Sequence, residues 1–186
     1  MTTMNDTPLP LRVRALAADD SIDALTALLH RAYAPLGAMG LNYTAVDQTV
    51  DVTRSRLAGG MALVAEWGGA LVGTVVVKPT APGSDCAWYR RAGVASVQQF
   101  AVDPARQGGG IGRTLLAEAE RLARDSGHAE LALDTAEPAT HLVRLYTGLG
   151  YRHVGHVQWP GKAYRSVVLS KPLAGAPMPT AKEDAA

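Results

Sequence analysis

Residues 97–113 read VQQFAVDPARQGGGIGR, and this stretch decides the fold. It begins as an apolar strand, turns at Pro104, passes through a run of glycines and then enters a helix. The first N–H groups of a helix have no partner inside it and attract anions. Glycines at that position let the backbone approach a ligand closely and adopt positive φ. The stretch therefore predicts a phosphate-binding turn between a strand and a helix.

Glycine motifs of two other kinds do not fit this turn. No Lys-Ser or Lys-Thr pair follows the glycines, which excludes a P-loop. The dinucleotide-binding pattern G-x-G-x-x-G breaks at Arg113 or at Leu115. A flexible turn that binds nothing is the plainer alternative.

The chain resembles the GNAT superfamily of N-acetyltransferases, which use acetyl-CoA. The signature Q/R-x-x-G-x-G/A of that superfamily is met here by Gln107, Gly110 and Gly112. The segment FAVDP precedes it at residues 100–104, and LYTGLGY follows at residues 145–151. These neighbours occur in the order that the superfamily has, and they weigh against a turn that binds nothing.

The resemblance covers roughly residues 11–173 and implies an α/β fold of the α+β type. Such a fold has a mixed, mostly antiparallel twisted sheet of about seven strands with helices on both faces. Its fourth and fifth strands splay apart. Periodicity and turn residues predict strands at 11–15, 61–67, 70–78, 94–102, 130–135, 151–158 and 163–169, a first helix capped by Asp20, and helices at 47–57, 110–126 and 140–149.

Composition indicates one cytoplasmic domain at residues 11–173. The 18 Lys and Arg residues nearly balance the 17 Asp and Glu residues, which gives no support for nucleic-acid binding. We find no signal peptide and no membrane span. The single cysteine, Cys86, fits a reducing cytoplasm. The ends, residues 1–10 and 174–186, are predicted to be mobile tails.

The resemblance also implies where the cofactor lies. The pantetheine arm of acetyl-CoA enters the gap between the fourth and fifth strands and pairs with the fourth strand as a neighbouring strand would. Arg106 and Arg113 add charge near the phosphates or are ordinary solvated side chains. The implied cofactor residues are Phe100, Ala101 and Val102 for the arm, and Gln107, Gly108, Gly109, Gly110, Ile111, Gly112 and Arg113 for the pyrophosphate.

Acetyl transfer from a thioester to an amine needs a donor for the oxyanion and a proton for the leaving thiolate. The resemblance gives the first role to the Val102 N–H, which a bulge in the fourth strand would leave unpaired. It gives the second role to Tyr146, whose reference pKa of about 10 lies above the roughly 8.5 of a thiol. Tyr146 also lies on the apolar stripe of its helix, so a purely structural role is the alternative.

The general base is left open. Better-understood members of the superfamily carry Glu or His on the fourth strand, whereas this chain has Ser96 and Gln98. Neither takes a proton at neutral pH, although Gln98 can order a water or bind the substrate. An Asn that often contacts pantetheine is replaced here by Ala139. A water chain could carry the proton of the amine to Asp134, Glu137 or His141.

The acceptor is a small-molecule or peptide amine that the sequence does not identify. Tyr43 and Gln98 are the predicted acceptor-binding residues, within an aromatic-rich set that can hold an amine. The length of the acyl chain and the oligomeric state, including a homodimer, stay open. A non-catalytic sensor that binds acyl-CoA is the alternative function. The rest of the aromatic-rich set is Tyr33, Trp88, Tyr89, Trp159 and Tyr164, with Asp47 as its carboxylate.

Other chemistries find little support in the sequence. Cys86 has no nearby His, so a packed or exposed structural thiol is favoured over a nucleophile. His153 and His156 lie three apart on a predicted strand, which points them to opposite faces and prevents a shared metal. No metal cofactor is expected.

Overall fold

The computed structural model describes residues 11–175. The predicted tail at 1–10 lies outside the described residues, and so does the predicted tail at 174–186 except for its first two residues. No helix in the described part is long and apolar enough to cross a membrane. The elements are β1 (Arg12–Ala15), α1 (Ile22–Ala38), α2 (Val50–Leu57), β2 (Met61–Trp67), β3 (Ala70–Lys78), β4 (Val94–Val102), α3 (Ile111–Asp125), β5 (Glu130–Ala136), α4 (Thr140–Gly148), β6 (Arg152–Val157) and β7 (Ser166–Pro172).

The seven strands of the described chain form one sheet in the order β1-β2-β3-β4-β5-β7-β6. Neighbouring strands run antiparallel in every pair except β4 and β5, which run parallel. Gly68 and Gly69 make the predicted two-residue turn between β2 and β3, both with positive φ. The predicted mixed, mostly antiparallel fold is confirmed.

Strands β4 and β5 separate after a short paired segment. Pairing begins at Val94 with Glu130 and ends at Ser96 with Ala132. Beyond that point β4 stays with β3, and β5 stays paired with β7 to its end at Ala136. The sheet is therefore split along its middle, as the resemblance implies.

Helices cover both faces of this split sheet. The apolar side of α3, including Ile111 and Leu115, packs in the core cluster that also holds Tyr146 of α4. On the opposite face Leu25 and Leu28 of α1 pack on the sheet. Gly73 allows the close approach of α3, because a Cβ there would lie 2.7 Å from the Leu115 Cδ1.

The two N-terminal helices begin later than predicted. Ser21, not Asp20, caps α1 by accepting from the Ala24 N–H, because Asp20 is bound to Arg14 and to the Ala17 N–H. Helix α2 begins at Val50 after the Thr49 cap. Residues 47–49 stay outside the helix, and the Gln48 side chain is buried there with hydrogen bonds to Thr53 and Gln99.

The prediction for His153 and His156 was wrong. A register shift in β6 between His153 and Gly155 breaks the alternation of side chains, so the two rings lie on one side with centroids 4.7 Å apart. Within residues 11–175 no three His, Cys, Asp or Glu side chains are grouped as a metal site would require.

Candidate active site

The gap between β4 and β5 opens into a pocket of about 370 Å³. Because the strands separate there, side chains from both faces of the sheet reach it. The predicted acceptor-binding residues Tyr43 and Gln98 both line this pocket, as does Tyr146. The remaining lining residues are Tyr33, Thr44, Ala45, Arg56, Tyr89, Val97, Gln99, Phe100, Leu133, Asp134, Trp159, Pro160, Lys162 and Tyr164.

The glycine turn ends at the start of α3, as predicted. Gly108 and Gly110 have φ of 84° and 83°, the left-handed region that glycine adopts without strain. The first α-helical hydrogen bond runs from the Thr114 N–H to the Gly110 carbonyl. Helix geometry therefore leaves the N–H groups of residues 111–113 without helical partners, beside an exposed turn.

Two contacts hold this turn against the end of β4. The Gln107 Nε2 donates to the Val102 carbonyl at 3.2 Å. A Cβ on Gly112 would lie 3.2 Å from the Phe100 Cζ, so glycine keeps the helix start close to the strand. The Arg106 guanidinium lies over the Trp67 ring, 5.0 Å from its centroid, whereas the Arg113 side chain is exposed.

The N–H of Val102 points toward the gap. Its neighbour Asp103 donates to the Val72 carbonyl on β3 at 2.8 Å, and Val102 lies opposite Gly73. Because N–H directions alternate along a strand, the Val102 N–H faces away from β3, where β5 no longer pairs. The bulge lies three residues earlier, at Gln99, so the separation of the strands and not the bulge leaves this N–H without a strand partner in the described chain.

The Tyr146 side chain is 8% exposed and lies between two other aromatic rings. Its ring centroid is 6.3 Å from that of Phe100 and 6.3 Å from that of Tyr151. The hydroxyl makes no hydrogen bond to any residue in 11–175. Burial raises the pKa of Tyr146 above its usual value of 10, so the hydroxyl is protonated at neutral pH.

The pocket wall combines aromatic rings with the carboxylate of Asp134. Asp134 on β5 accepts from the Tyr89 hydroxyl and from the Trp159 Nε1, each at 2.8 Å. The Tyr43 ring packs against Tyr164 with centroids 5.1 Å apart. The Tyr43 hydroxyl is bound to β5, since it accepts from the Ala136 N–H at 2.7 Å.

The candidate bases lie in different surroundings. Asp134 lines the pocket. Glu137 is exposed and bound to Arg165 at 3.0 Å, which lowers the pKa of the carboxyl. His141 is exposed and outside the pocket lining.

Two further residues that the sequence analysis considered are buried. Ser96 is buried outside the pocket lining. Cys86 is buried, which raises the pKa of its thiol.

Sequence analysis missed Gln99 and Arg56 as pocket residues. Strict alternation would put Gln98 and Gln99 on opposite faces of β4. The φ of 48° at Gln99 and the register shift beside it bring both side chains to the pocket wall. The Gln-Gln pair before FAVDP was the available signal for Gln99, whereas Arg56 had none.

Comparison with known proteins agrees with this geometry. A model described as the acetyltransferase (GNAT) family matches residues 25–151. The S-(2-succino)cysteine N-acetyltransferase of Bacillus subtilis is 28% identical over 163 residues, covering 85% of this chain and 94% of that protein. The ribosomal-protein-S18-alanine N-acetyltransferase from Escherichia coli has a TM-score of 0.69 at 16% identity, over 91% of this chain and 98% of that one. A GNAT family acetyltransferase from Elizabethkingia anophelis with acetyl-CoA bound has a TM-score of 0.63 at 18% identity, over 88% and 98% of the two chains.

Proposed function

This chain belongs to the acetyltransferase (GNAT) family, and on that premise we propose that it moves an acetyl group from acetyl-CoA to the nitrogen of an amine. Named N-acetyltransferases among its relatives support an acyltransferase enzyme and argue against a sensor without activity. The observation that carries the proposal is the gap between β4 and β5, which reaches Tyr146 and Phe100, the residue against which Gly112 of the glycine turn packs.

The cofactor side of the gap suits a long, anionic thioester. The free N–H groups at the start of α3 offer donors to the pyrophosphate, within the turn formed by residues 107–113. The edge of β4 at residues 100–102 offers backbone groups to the amides of the pantetheine arm. The thioester then lies at the separated part of the sheet, near the free N–H of Val102.

The transfer proceeds by direct attack of the neutral amine nitrogen on the thioester carbon. The carbonyl oxygen becomes an oxyanion, which the Val102 N–H stabilises. As the carbon–sulfur bond breaks, the Tyr146 hydroxyl donates a proton to the sulfur. The nitrogen loses one proton, which replaces the proton that Tyr146 gave. The products are the N-acetylated amine and free CoA thiol.

Asp134 is the carboxylate we assign to the amine side, because it alone of Asp134, Glu137 and His141 lines the pocket. Its fixed oxygens can hold the amine or a water that takes the proton of the amine. The Bacillus subtilis relative is named as an N-acetyltransferase of S-(2-succino)cysteine. From that name we infer for this chain only that the acceptor is an amine. Cys86 is the single cysteine of the sequence and is buried, which fits a cytoplasmic enzyme.

Gln98→Ala is expected to change which amines are used while leaving CoA affinity within about threefold of wild type, a change of less than 1 kcal/mol. The Gln98 side chain makes no hydrogen bond within residues 11–175, so its removal breaks no hydrogen bond of the described fold. Acetyl-CoA with a panel of amines, followed by release of free thiol, measures the profile and tests the proposed function. Calorimetry with CoA is the control, and loss of CoA binding in a folded variant would assign Gln98 to the cofactor instead.

A further inference from the structure

Two hydrogen-bond donors at the pocket wall have no acceptor. The Gln48 Oε1, an acceptor, is also buried without a partner, but Gln48 does not line the pocket. The Nε of Arg56 and the Nε2 of Gln99 are fully buried, and neither finds a partner among residues 11–175. Both side chains line the pocket, and Gln99 itself is only 3% exposed. Buried polar groups are nearly always paired, so two unpaired donors in one wall call for an acceptor that enters from outside the chain.

Hydrogen bonds of Gln48 join the two elements that carry Arg56 and Gln99. Thr53 and Arg56 lie three apart on α2, which puts them on one face of that helix. The Gln48 Nε2 donates to the Thr53 Oγ1 at 2.7 Å and to the Gln99 Oε1 at 2.8 Å. These bonds join α2 to the bulge of β4, so Arg56 follows one turn along the face that meets Gln99.

The same bonds fix which end of the Gln99 amide faces outward. The Thr26 hydroxyl lies 2.8 Å from the Ile22 carbonyl, which can only accept, and 2.8 Å from the Thr53 Oγ1. The Thr53 hydroxyl donates to the Thr49 carbonyl at 3.3 Å, so its oxygen accepts from Thr26 and from Gln48. The Gln48 Nε2 therefore donates to both Thr53 and the Gln99 Oε1, which leaves the Gln99 NH₂ group without a partner in the described chain. A left-handed φ at a non-glycine residue is uncommon, and here it places that group at the pocket.

The charges of the pocket are unevenly distributed. Arg56 makes no ion pair within the described residues, and its positive charge helps to lower the pKa of Lys162, after the larger effect of burial. Lys162 donates to the Asn42 carbonyl and to the Thr44 hydroxyl, not to a carboxylate. Asp134 is engaged by neutral donors. One part of the pocket is thus cationic without a counter-charge, and another carries a carboxylate.

We propose that the acceptor is a small amine of the amino-acid type, whose carboxylate binds Arg56 and the Gln99 amide while its amino group faces Asp134 and Tyr146. This inference rests on the proposed N-acetyltransferase function. A guanidinium and a neighbouring amide are donors that suit the two oxygens of a carboxylate. A pocket of about 370 Å³ has the size of a small-molecule site. Arg56 is available to the acceptor, since the N–H groups of the glycine turn are the proposed donors to the cofactor phosphates.

The test compares α-amino acids with their carboxamides and with the corresponding decarboxylated amines, each as acceptor with acetyl-CoA. Wild type is expected to prefer the acids. Arg56→Gln should raise KM for the acids by roughly 30- to 1000-fold, the usual consequence of removing one partner of a buried charge pair, and leave the carboxamides unchanged. Arg56→Lys should restore part of the loss. Arg54→Gln is the matched control, because Arg54 is an exposed residue of the same helix paired with Asp51 and should change neither class.

Gln99→Glu gives a second, independent variant. It keeps an oxygen to accept from Gln48 and replaces the free NH₂ group with a carboxylate oxygen of the same shape. The acids should lose affinity relative to the carboxamides, because a donor has become a negative charge. Circular dichroism of each variant checks that the fold is retained.

Three outcomes separate this inference from the function on which it rests. Equal use of acids and carboxamides by wild type, unchanged in Arg56→Gln, would overturn the inference and leave acetyl transfer intact. Acetylation of peptide amino termini but of no free amino acid would overturn the small acceptor. If no amine is acetylated, the proposed function fails, and calorimetry of the same amines on CoA-loaded protein decides the inference by itself. Binding that needs the carboxylate and Arg56 supports it, and binding that needs neither overturns it.

Discussion

Tyr146→Phe is expected to lower kcat for acetyl transfer by about 10²- to 10⁴-fold, the span typical of general acid catalysis. The ring would keep its packing between Phe100 and Tyr151. The hydroxyl forms no hydrogen bond within the described chain, so its removal should cost little folding stability. Steady-state kinetics on the best amine of the panel measures the effect, and thermal unfolding checks the fold.

Tyr151→Phe is the matched control for this variant. The Tyr151 hydroxyl is also attached to a buried ring, but it donates to Glu120 at 3.1 Å and does not line the pocket. Its loss should lower the free energy of unfolding by about 1 kcal/mol and leave kcat unchanged. Full turnover in Tyr146→Phe would contradict the catalytic role and assign Tyr146 a structural role only.

The raised pKa of Tyr146 adds a pH criterion. A proton donor must be protonated, and burial keeps this hydroxyl protonated at pH values above the usual tyrosine pKa of about 10. Titration of Tyr146 should therefore cause no fall of kcat on the alkaline side below that pH. Any fall seen near neutrality should persist in Tyr146→Phe, because it belongs to another group.

Gly110→Asp is expected to weaken CoA binding by about 10²- to 10³-fold, since a like charge placed against a phosphate costs several kcal/mol. No described atom lies within 4 Å of a Cβ at this position, so the side chain has room. Asp is one of the few residues that tolerate the φ of 83° found here. The comparison with Gly110→Asn, which has the same shape and tolerance but no charge, isolates the electrostatic part. Calorimetric titration with CoA gives both affinities.

Equal CoA affinity in wild type and Gly110→Asp would show that the phosphates of CoA do not bind at the start of α3. An equal loss in the Asn and Asp variants would mean that shape and not charge controls the turn. We expect the CoA affinity of the Asn variant to lie between those of wild type and the Asp variant, because an amide crowds the phosphate without repelling it.

Local patterns in the sequence were enough to predict most strands of the sheet and the glycine turn. Residues 97–113 contain their own strand, turn and helix start, and glycines are needed where φ is positive, as at Gly108 and Gly110. The Gly68-Gly69 hairpin follows from the same local chemistry. Both features depend on neighbours along the chain, which is why a single sequence carries them.

Features that depend on distant contacts could not be predicted in this way. The bulges at Gln99 and between His153 and Gly155 break the two-residue alternation on which strand predictions rest, so side chains thought to diverge came together. The place of Arg56 at the pocket depends on Gln48, whose side chain joins Thr53 of α2 to Gln99 of β4. No pattern within α2 carries that information.

The most direct test of acetyl transfer to an amine follows the acetyl group itself. Acetyl-CoA labelled with carbon-13 in the acetyl group is incubated with wild type and the preferred amine, and the products are analysed by mass spectrometry. We expect one labelled acetyl group on the amine nitrogen for each CoA thiol released, with no label on the protein. Thiol release without a labelled amine, or label retained on a side chain such as that of Cys86, would contradict direct transfer to an amine.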